Sequence, residues 1–343
     1  MIRLLVLLMA AAVGCAEGRA AERSSTREKS RAGAGGERAR TAANSTVPTK
    51  AVAVKKAGEV ARGYSVIDLG TLGGPKAEAY AINNAGQIVG VADTAVQSDV
   101  WGRISHGFLF EGSKMIDLGT MDRDQKSEAT GIDSRGLVLG NSILQVGCIV
   151  SGRTFTMQER RRTLLKLDKE LYTSPRAVND AGHFAGLCNF GRYIHAFLYD
   201  GKLHDLGSLG NEERSEAYGM NNSNDVVGVS STPKYATGDR AVLWRKREII
   251  NLGTLPGHYS SEARGINNRG VIVGWSTPPH KAVRFPRAFI YSNGKMRDLN
   301  ELLPPNSGWE LLEANGINDA GQIVGEGRFK GQQRAFLMSP GRK

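Results

Sequence analysis

From residue 64 to the end of the chain, apolar and polar residues alternate in short runs that are bounded by turn residues. The stretch His195–Ser230 shows the unit, with Asp200-Gly201 in one turn and Asn221 to Asn224 in another. Alternation with a period of two is typical of half-buried β-strands, and Asp-Gly or Asn-rich turns are typical of hairpins. Each unit therefore predicts four short antiparallel strands.

The unit occurs six times, and a triplet similar to Ile-Asn-Asn marks each copy at intervals of 42 to 51 residues. Four strands per repeat at this period are typical of β-propeller blades. Six residues after each triplet a predicted strand ends in glycine, which indicates a bulge or a close backbone approach. The triplets begin at Ile82, Ile132, Val178, Met220, Ile266 and Ile317, and the glycines are Gly90, Gly140, Gly186, Gly228, Gly274 and Gly325.

The order of the predicted strands indicates how the ring closes. The chain opens with a lone strand of the fourth type, Ser65–Leu69, and ends with one of the third type, Arg334–Met338. Six blades are complete only if these two strands pair, and such closure also removes exposed sheet edges. We therefore predict an all-β fold over residues 64–343, a six-bladed β-propeller of four-stranded blades whose N-terminal strand closes the C-terminal blade. An open β-solenoid and a double-sheet sandwich are the alternatives.

Residues 1–15 are typical of a secretion signal. Arg3 precedes the apolar run Leu4–Val13, which is too short to span a bilayer as a helix. The run ends in Ala-Val-Gly-Cys, which resembles the lipobox of bacterial lipoproteins. This resemblance implies cleavage before Cys15 and lipidation of its thiol, and ordinary export is the alternative. We expect an exported protein, lipid-anchored at the bacterial cell envelope or extracellular.

Residues 16–63 are predicted to form a disordered basic tether, because large apolar residues are nearly absent before Val47. This segment has 11 Lys and Arg against 5 Asp and Glu, so it contributes +6 of the chain's net charge of +11. Such a tail could lie against anionic lipid headgroups or acidic polymers, or act as a solvated spacer. Export argues against a nucleic-acid partner, and we expect a monomer.

Several recurring motifs are similar to those of a known repeat family. HAFLYDGKLHDLGSLG from His195, AYAINNAGQIVG from Ala79 and ANGINDAGQIVG from Ala314 resemble the HAF-repeat family of extracellular bacterial repeat proteins. The resemblance spans residues 65–338 and implies an exported repeat domain, but it brings no catalytic residue with it. The third copy departs most, since Lys166 stands where the fourth strand usually has Asp, and Ser174 stands where a Glu is usual.

Two kinds of charged residue recur when the copies are superposed. A basic residue opens each predicted third strand, and an acidic residue precedes the aromatic or equivalent position of most first strands. Together with the aspartate that is usual on the fourth strand, they could form a charged funnel for a polymer, but repetition in every blade favours a structural role, because an active site breaks symmetry. The bases are His106, Arg153, His195, Arg240, Arg287 and Arg334, and the acids are Glu78, Glu128, Glu216, Glu262 and Glu313.

Catalytic and metal motifs are absent from the sequence: we find no Gly-x-Ser-x-Gly, no His-Glu-x-x-His and no phosphate loop. We therefore expect no cofactor and no metal. The pattern favours a non-enzymatic binding or scaffolding module for a protein or a polysaccharide. The alternative is a carbohydrate-active hydrolase or lyase with carboxylates gathered around the channel.

Residues that occur in only one copy are the candidates for ligand contact. They stand in predicted loops between second and third strands, where Trp, Tyr and Arg suit stacking on sugars or anchoring of a protein, although Trp275 could equally belong to the core. Two cysteines, Cys148 and Cys188, could form a disulfide after export or remain separate thiols. The candidate loop residues are Trp101, Arg103, Tyr235, Trp275 and His280.

Overall fold

A computed structural model describes most of the chain after the predicted tether. The described residues are 63–98, 102–122, 124–146, 149–168, 171–210, 213–231, 238–279 and 285–341, with the side chains at 145, 146 and 149–151 left out of the description. The predicted signal peptide, Cys15 and all but the last residue of the tether lie outside these ranges.

The described residues form six four-stranded antiparallel sheets, each the blade of a β-propeller. Blade 6 begins with strand β1, Tyr64–Asp68. Blade 1 contains β2 Gly73–Ile82, β3 Ile88–Ser98, β4 Gly102–Glu111 and β5 Lys114–Gly119; blade 2 contains β6 Lys126–Ile132, β7 Val138–Val146, β8 Ile149–Gln158 and β9 Arg161–Leu164; blade 3 contains β10 Thr173–Val178, β11 Phe184–Phe190, β12 Tyr193–Tyr199 and β13 Leu203–Asp205. Blade 4 contains β14 Ser215–Met220, β15 Val226–Ser230, β16 Arg240–Arg245 and β17 Glu248–Gly253; blade 5 contains β18 Ser260–Ile266, β19 Ile272–Thr277, β20 Arg287–Ser292 and β21 Lys295–Asp298; blade 6 is completed by β22 Trp309–Ile317, β23 Ile323–Phe329 and β24 Gln332–Pro340.

The predicted closure is confirmed. Strand β1 pairs with β24 in antiparallel register, with Val66 opposite Met338 and Asp68 opposite Phe336. The ladder continues one residue further, where the backbone N–H of Leu69 donates to Ala335 at 3.0 Å. Blade 6 therefore takes one strand from the start and three from the end of the described chain, and neither the solenoid nor the sandwich fits this topology.

One strand boundary differs from the prediction. Lys166 was assigned to a fourth strand, but that strand, β9 of blade 2, spans Arg161–Leu164, because the hairpin turns at Glu159 and Arg160, both of which have positive φ. In the described residues the only helical element among the strands is a 3₁₀ turn at Leu299–Leu302, where the Asp298 side chain accepts the backbone N–H of Asn300. Within this part of the chain, no helix has the length and hydropathy required to cross a bilayer.

A β-bulge occurs at the same place in all six first strands and explains the repeated glycines. In blade 5 the register shifts between Ala263 and Gly265, opposite Gly274. A Cβ at Gly274 would meet the carbonyl oxygen of Glu262 and the ring of Phe289, which is 2.8 Å away at its nearest atom. Glycine is required there because the bulge pushes one backbone onto the other. The close approach predicted from the sequence is confirmed.

The core lies between neighbouring blades, where the third-strand aromatic residues are buried. Five phenylalanines of the third strands are fully buried, and each adds a large apolar area to the packing of its blade. Each clusters with apolar residues of the first strand of its own blade and with second- or third-strand residues of the preceding blade. The five are Phe108, Phe155, Phe197, Phe289 and Phe336.

Candidate functional site

The triplet turns of all six blades meet at one end of the central channel, which we name the turn end. The second residue of each triplet holds its own hairpin, since its side-chain oxygen accepts N–H groups from later residues of the same turn. At Asn267 these come from Arg269 and Val271, at 3.1 and 3.0 Å. Because asparagine and aspartate both supply this oxygen, either residue serves the turn.

Only asparagine can also link the blades. In five copies its Nδ2 donates to the backbone oxygen of the equivalent residue in the next blade, at 3.0 to 3.3 Å. The sixth link, from blade 2 to blade 3, is not made, because Asp133 has no side-chain N–H. Its carboxylate binds Arg135 instead, with the Arg135 Nη2 at 2.8 Å. The five donors are Asn83, Asn179, Asn221, Asn267 and Asn318, and we call this set the asparagine ring.

The turn end is too narrow for a sugar or a peptide. The cavity that the triplets enclose measures about 80 Å³, whereas pockets for drug-sized ligands measure roughly 300 Å³ or more. A volume of this size holds a few water molecules. The turn end therefore holds the six blades together, and a ligand larger than a few waters has to bind at another part of the propeller.

Above the asparagine ring, the channel is lined by the side chains at the bulge position of the first strands, which we call the lumenal residues. Three of them, from successive blades, stack on one another. The guanidinium carbon of Arg176 lies 4.8 Å from the ring centroid of Tyr218, and that of Arg264 lies 4.1 Å from it. Such cation–π contacts fix the ring between two charges. The full set is Tyr80, Thr130, Arg176, Tyr218, Arg264 and Asn315.

The repeated glutamates lie on the same strands, two residues before the lumenal position. In blades 4 and 5 they bind arginine: Arg176 Nη2 is 3.1 Å from Glu216, and Arg264 Nη2 is 2.9 Å from Glu262. Glu216 also contacts Arg214 and accepts the Tyr218 hydroxyl at 3.1 Å. Burial raises the pKa of Glu262 to about 7 in spite of the adjacent Arg264.

The other half of the channel, from blades 6, 1 and 2, has carboxylates but no lumenal arginine. Burial raises the pKa of Glu128 and of Glu313. Burial, reinforced by the charges of Glu78 and Glu313, raises the pKa of Glu326 to about 8. The channel therefore has one side with lumenal arginines and one without, and buried carboxylates with a raised pKa occur on both sides.

This raised pKa predicts a pH dependence of stability. Below pH 8, folded Glu326 retains a proton that the unfolded chain releases above about pH 4.3, so the free energy of unfolding falls as the pH rises through this window. Replacing Glu326 with Gln is expected to flatten the decline and to raise stability at pH 8. Urea unfolding from pH 5 to 8.5 measures it, with Glu248→Gln at an exposed position as the control. Parallel curves for the wild type and Glu326→Gln would contradict the prediction.

The repeated bases belong to a different network from the glutamates. Four of them bind the fourth-strand aspartate of their own blade, with distances from 2.7 to 3.3 Å: His106 with Asp117, His195 with Asp205, Arg287 with Asp298 and Arg334 with Asp68. Where blade 4 has Asn251 in place of the aspartate, Arg240 donates to backbone oxygens instead, including that of Tyr259 at 2.7 Å. In blade 2, Arg153 binds Asp124 at 2.8 Å. The bases and the glutamates therefore do not form one funnel.

The fourth-strand aspartates also explain the repeated Asp-Leu-Gly. The Oδ1 of Asp205 accepts the backbone N–H of Gly207 at 2.8 Å, and Asp117 does the same for Gly119 at 2.7 Å. The aspartate thus closes a local turn and also binds the basic side chain that opens the third strand.

The candidate loop residues are only partly described. Trp101, Tyr235 and His280 lie outside the described residues, and Arg103 is an exposed residue of β4, opposite Gln97. Trp275 was assigned to a loop, but it lies within β19, opposite Glu262 and 5.9 Å from the Arg264 guanidinium. It therefore belongs beside the lumenal residues.

Two buried donors in this region have no acceptor. Arg264 Nε and Trp275 Nε1 are inaccessible to solvent and make no hydrogen bond with the described residues. Buried donors without a partner are costly, so they are points at which a ligand oxygen can be bound. The sequence reasoning missed the lumenal residues. The signal was their variation at one position of an otherwise regular Glu-Ala-x-Gly/Ala-Ile strand.

The end of the channel opposite the turn end, which we call the loop end, exposes apolar side chains. Antiparallel pairing places the connections between second and third strands there, together with the connections between blades. Val96, Tyr172 and Phe285 are large apolar residues exposed at this end, Tyr172 by 51% and Phe285 by 46%. Arg328 lies over the Phe285 ring, 3.4 Å from its centroid. This arrangement suits contact with a partner.

The predicted cysteine pair cannot be placed, because Cys148 lies outside the described residues. Cys188 is buried on β11 and forms no disulfide to a described residue. Burial raises the pKa of its thiol to about 11, so the thiol is protonated at neutral pH and is not an activated nucleophile. No group of three or more His, Cys, Asp and Glu in the described ranges has the arrangement of a metal site.

A protein-family model matches the C-terminal part of the chain. A family model described as a protein of unknown function, DUF3466, matches residues 210–341, which is less than half of the chain. The match includes blades 4 and 5 and most of blade 6. No curated protein matches the chain.

Solved structures are similar at the level of the fold. TolB from Acinetobacter baumannii is 11% identical, with 79% of this chain and 65% of that chain covered and a TM-score of 0.43. A Trypanosoma rangeli sialidase is 11% identical, with 82% and 60% covered and a TM-score of 0.47. A hypothetical protein from Leishmania major is 10% identical, with 82% and 91% covered and a TM-score of 0.37. The chain spans less than two thirds of the first two structures, and likeness at this level gives no information on what it binds.

Proposed function

We propose that the protein is an exported, lipid-anchored propeller that binds a partner, a protein or a polysaccharide, at the loop end of its channel without transforming it. The resemblance of the repeats to HAF-repeat proteins and of the N-terminus to a lipoprotein signal supports export and anchoring. The basic tether would give the domain reach from the membrane, with an end-to-end distance of about 35–42 Å at roughly 5–6 Å × √n.

The observation that carries the proposal is the variation at the lumenal position. Around it the glycine of the second strand does not change, the turn residue is asparagine or aspartate and the glutamate recurs in five copies, yet the six lumenal residues include two tyrosines, two arginines, a threonine and an asparagine. A rigid frame that presents different side chains at one position is typical of recognition on repeat scaffolds.

The chemistry of the lumenal residues indicates the ligand groups. Arg176 and Arg264 present guanidinium donors, and Tyr218 is held between them as a flat surface. Arg264 Nε and Trp275 Nε1 add donors that have no acceptor. The ligand should therefore bring acceptor oxygens, either carboxylates or sugar hydroxyls, towards blades 3 to 5.

The test is a binding screen with the purified full chain on arrays of polysaccharides and envelope proteins. For any ligand found, Arg264→Gln is expected to weaken binding by about 10-fold or more. Arg245→Gln is the matched control, because Arg245 is similarly exposed and ion-paired, with Asp225 at 2.7 Å, but lies on β16. Equal losses in both variants, or none in Arg264→Gln, would rule out a lumenal ligand.

A hydrolase is the second candidate, and one observation favours it. The Tyr218 hydroxyl donates to Glu216, while two guanidinium groups flank its ring, so an acid, a hydroxyl and two cations from three blades meet in the channel. The same screen should include product analysis. Turnover of any polysaccharide that Tyr218→Phe abolishes while folding is intact would replace the binding proposal.

The anchor is tested separately. Replacing Cys15 with Ala is expected to move the protein from the membrane fraction to the soluble fraction, because the thiol that carries the lipid is lost. Fractionation followed by immunoblotting measures this, with Cys188→Ala as the control that keeps the lipobox. Membrane association that persists in Cys15→Ala would contradict lipid anchoring through this thiol.

A further inference from the structure

The third copy, which departs most from the repeat pattern, contains a buried histidine with a free ring nitrogen. The His195 side chain is 7% exposed, and its Nδ1 lies 3.0 Å from both oxygens of Asp205. Its Nε2 is inaccessible to solvent and has no hydrogen-bond partner among the described residues. Because Nδ1 faces a carboxylate, the ring proton belongs on Nδ1 and the lone pair on Nε2.

The hydrogen bond between His195 Nδ1 and Asp205 is of the kind that orients a metal-binding imidazole. A histidine that ligates a metal through one nitrogen almost always donates its other N–H to a carboxylate, a carbonyl or a water. The stacked ring of Tyr193, at 5.6 Å and 6° between planes, holds the imidazole in this orientation. His195 Nε2 is therefore a buried acceptor of fixed orientation that no described donor reaches.

A buried thiol stands directly opposite this imidazole. Cys188 of β11 pairs with His195 of β12 in the antiparallel register, so both side chains are on the same face. Residues in such a pair have Cβ atoms about 4.5–5.5 Å apart. A thiolate sulfur and an imidazole nitrogen on these two positions can reach one ion between them.

The other copies lack this pair. Blade 1 has a histidine at the same position, bound to Asp117 at 2.9 Å, but Ala92 stands opposite it. In blades 4 to 6 the base is arginine, and the residue opposite is Ser230, Ser276 or Gly327. A feature present in one copy only is not demanded by the shared fold, so it points to a function of its own.

The ligand number selects the ion. Thiolate and imidazole are the donors preferred by Cu(I) and Zn(II). Zn(II) requires at least three protein ligands, and the described residues offer no group of three. We propose that Cys188 Sγ and His195 Nε2 form a two-coordinate site for Cu(I). On binding, a Cu–S bond forms as the S–H bond breaks, the proton leaves to solvent, and no electron is transferred.

The site is tested by titrating the full chain with Cu(I) under anaerobic conditions against a chromogenic Cu(I) chelator. The wild type should retain one Cu(I) ion per chain in competition with the chelator. X-ray absorption should show one sulfur and one nitrogen ligand. Cys188→Ser and His195→Gln should each lower the affinity by about 100-fold or more. His106→Gln is the matched control, since it removes the equivalent imidazole from a blade without the thiol, and should change nothing.

Three outcomes would overturn the proposal. One is weak binding of several ions that none of these changes alters, which means adventitious copper. Another is an equal loss in His106→Gln. The third is a disulfide between Cys188 and Cys148 in the purified protein, found by mass spectrometry after alkylation without reduction. Circular dichroism checks the folding of each variant, and Cys188→Ala, the residue found in blade 1, replaces Cys188→Ser if the latter does not fold.

Discussion

Replacing Gly274 with alanine is expected to lower the free energy of unfolding by about 3 kcal/mol. The new Cβ would meet the carbonyl oxygen of Glu262 and the ring of Phe289, both of which belong to the packed interior of blade 5. The bulge of β18 cannot move away without breaking the first-strand packing around the channel. Urea unfolding measures the loss, and the thermal midpoint should fall by about 5–10 °C.

Gly152→Ala is the control for this prediction. Gly152 lies in β8, is exposed, and has nothing within 4 Å of a Cβ built on it. Its replacement should change stability by no more than about 0.5 kcal/mol, because surface substitutions rarely do more. If the two variants lost stability equally, the close approach at the bulge would not be the reason for the repeated glycine.

Replacing Asn318 with Asp is expected to lower the free energy of unfolding by about 2–3 kcal/mol at pH 7. Its Nδ2 donates to the backbone oxygen of Asn83 at 3.1 Å and to Gln322 Oε1 at 2.8 Å. An aspartate carboxylate has no N–H to donate, so both hydrogen bonds are lost, and its negative oxygens face the Asn83 and Gln322 oxygens. The deficit should shrink as the pH falls, because the protonated acid can donate again.

Asn267→Asp is the matched comparison and should cost less. Arg269 follows Asn267 by two residues. Blade 2 has Asp133 at the equivalent position, and Arg135 follows it by two residues and binds it. The copy with Asn318 has Ala320 at that place and offers no cation. Equal losses in the two variants at every pH would show that the arginine does not compensate for the missing link.

The proposed recognition surface depends on how the copies differ rather than on what they share. The glycines, the asparagines and the Asp-Leu-Gly motif hold blades, turns and ring closure in place. The lumenal position is not needed for blade packing, turns or ring closure. Its residues can therefore differ between copies, as Arg176, Tyr218 and Arg264 do. Their contact could not be predicted from spacing, because about 40 residues of chain separate each from the next.

The charged residues show how far superposition of the repeats can go. It identified the bases and the glutamates and favoured a structural role for both, but it did not give their partners: the bases bind fourth-strand aspartates, and the glutamates lie on the first strands. Spacing gives the strand on which a residue lies. The face of the strand, and its partner on the next strand, depend on register and on bulges that shift it.

The sequence by itself determined the number of strands, the six blades and the pairing of the first strand with the last, because alternation, turn residues and strand order are local and add up along the chain. Only the tertiary structure decided which side chains meet at the axis and which stay unpaired. The link from Asn318 back to Asn83, the stack on Tyr218 and the free nitrogen of His195 all depend on the closing of the ring or on exact register. Contacts between copies exist only after the blades have packed, so no pattern within one copy contains them.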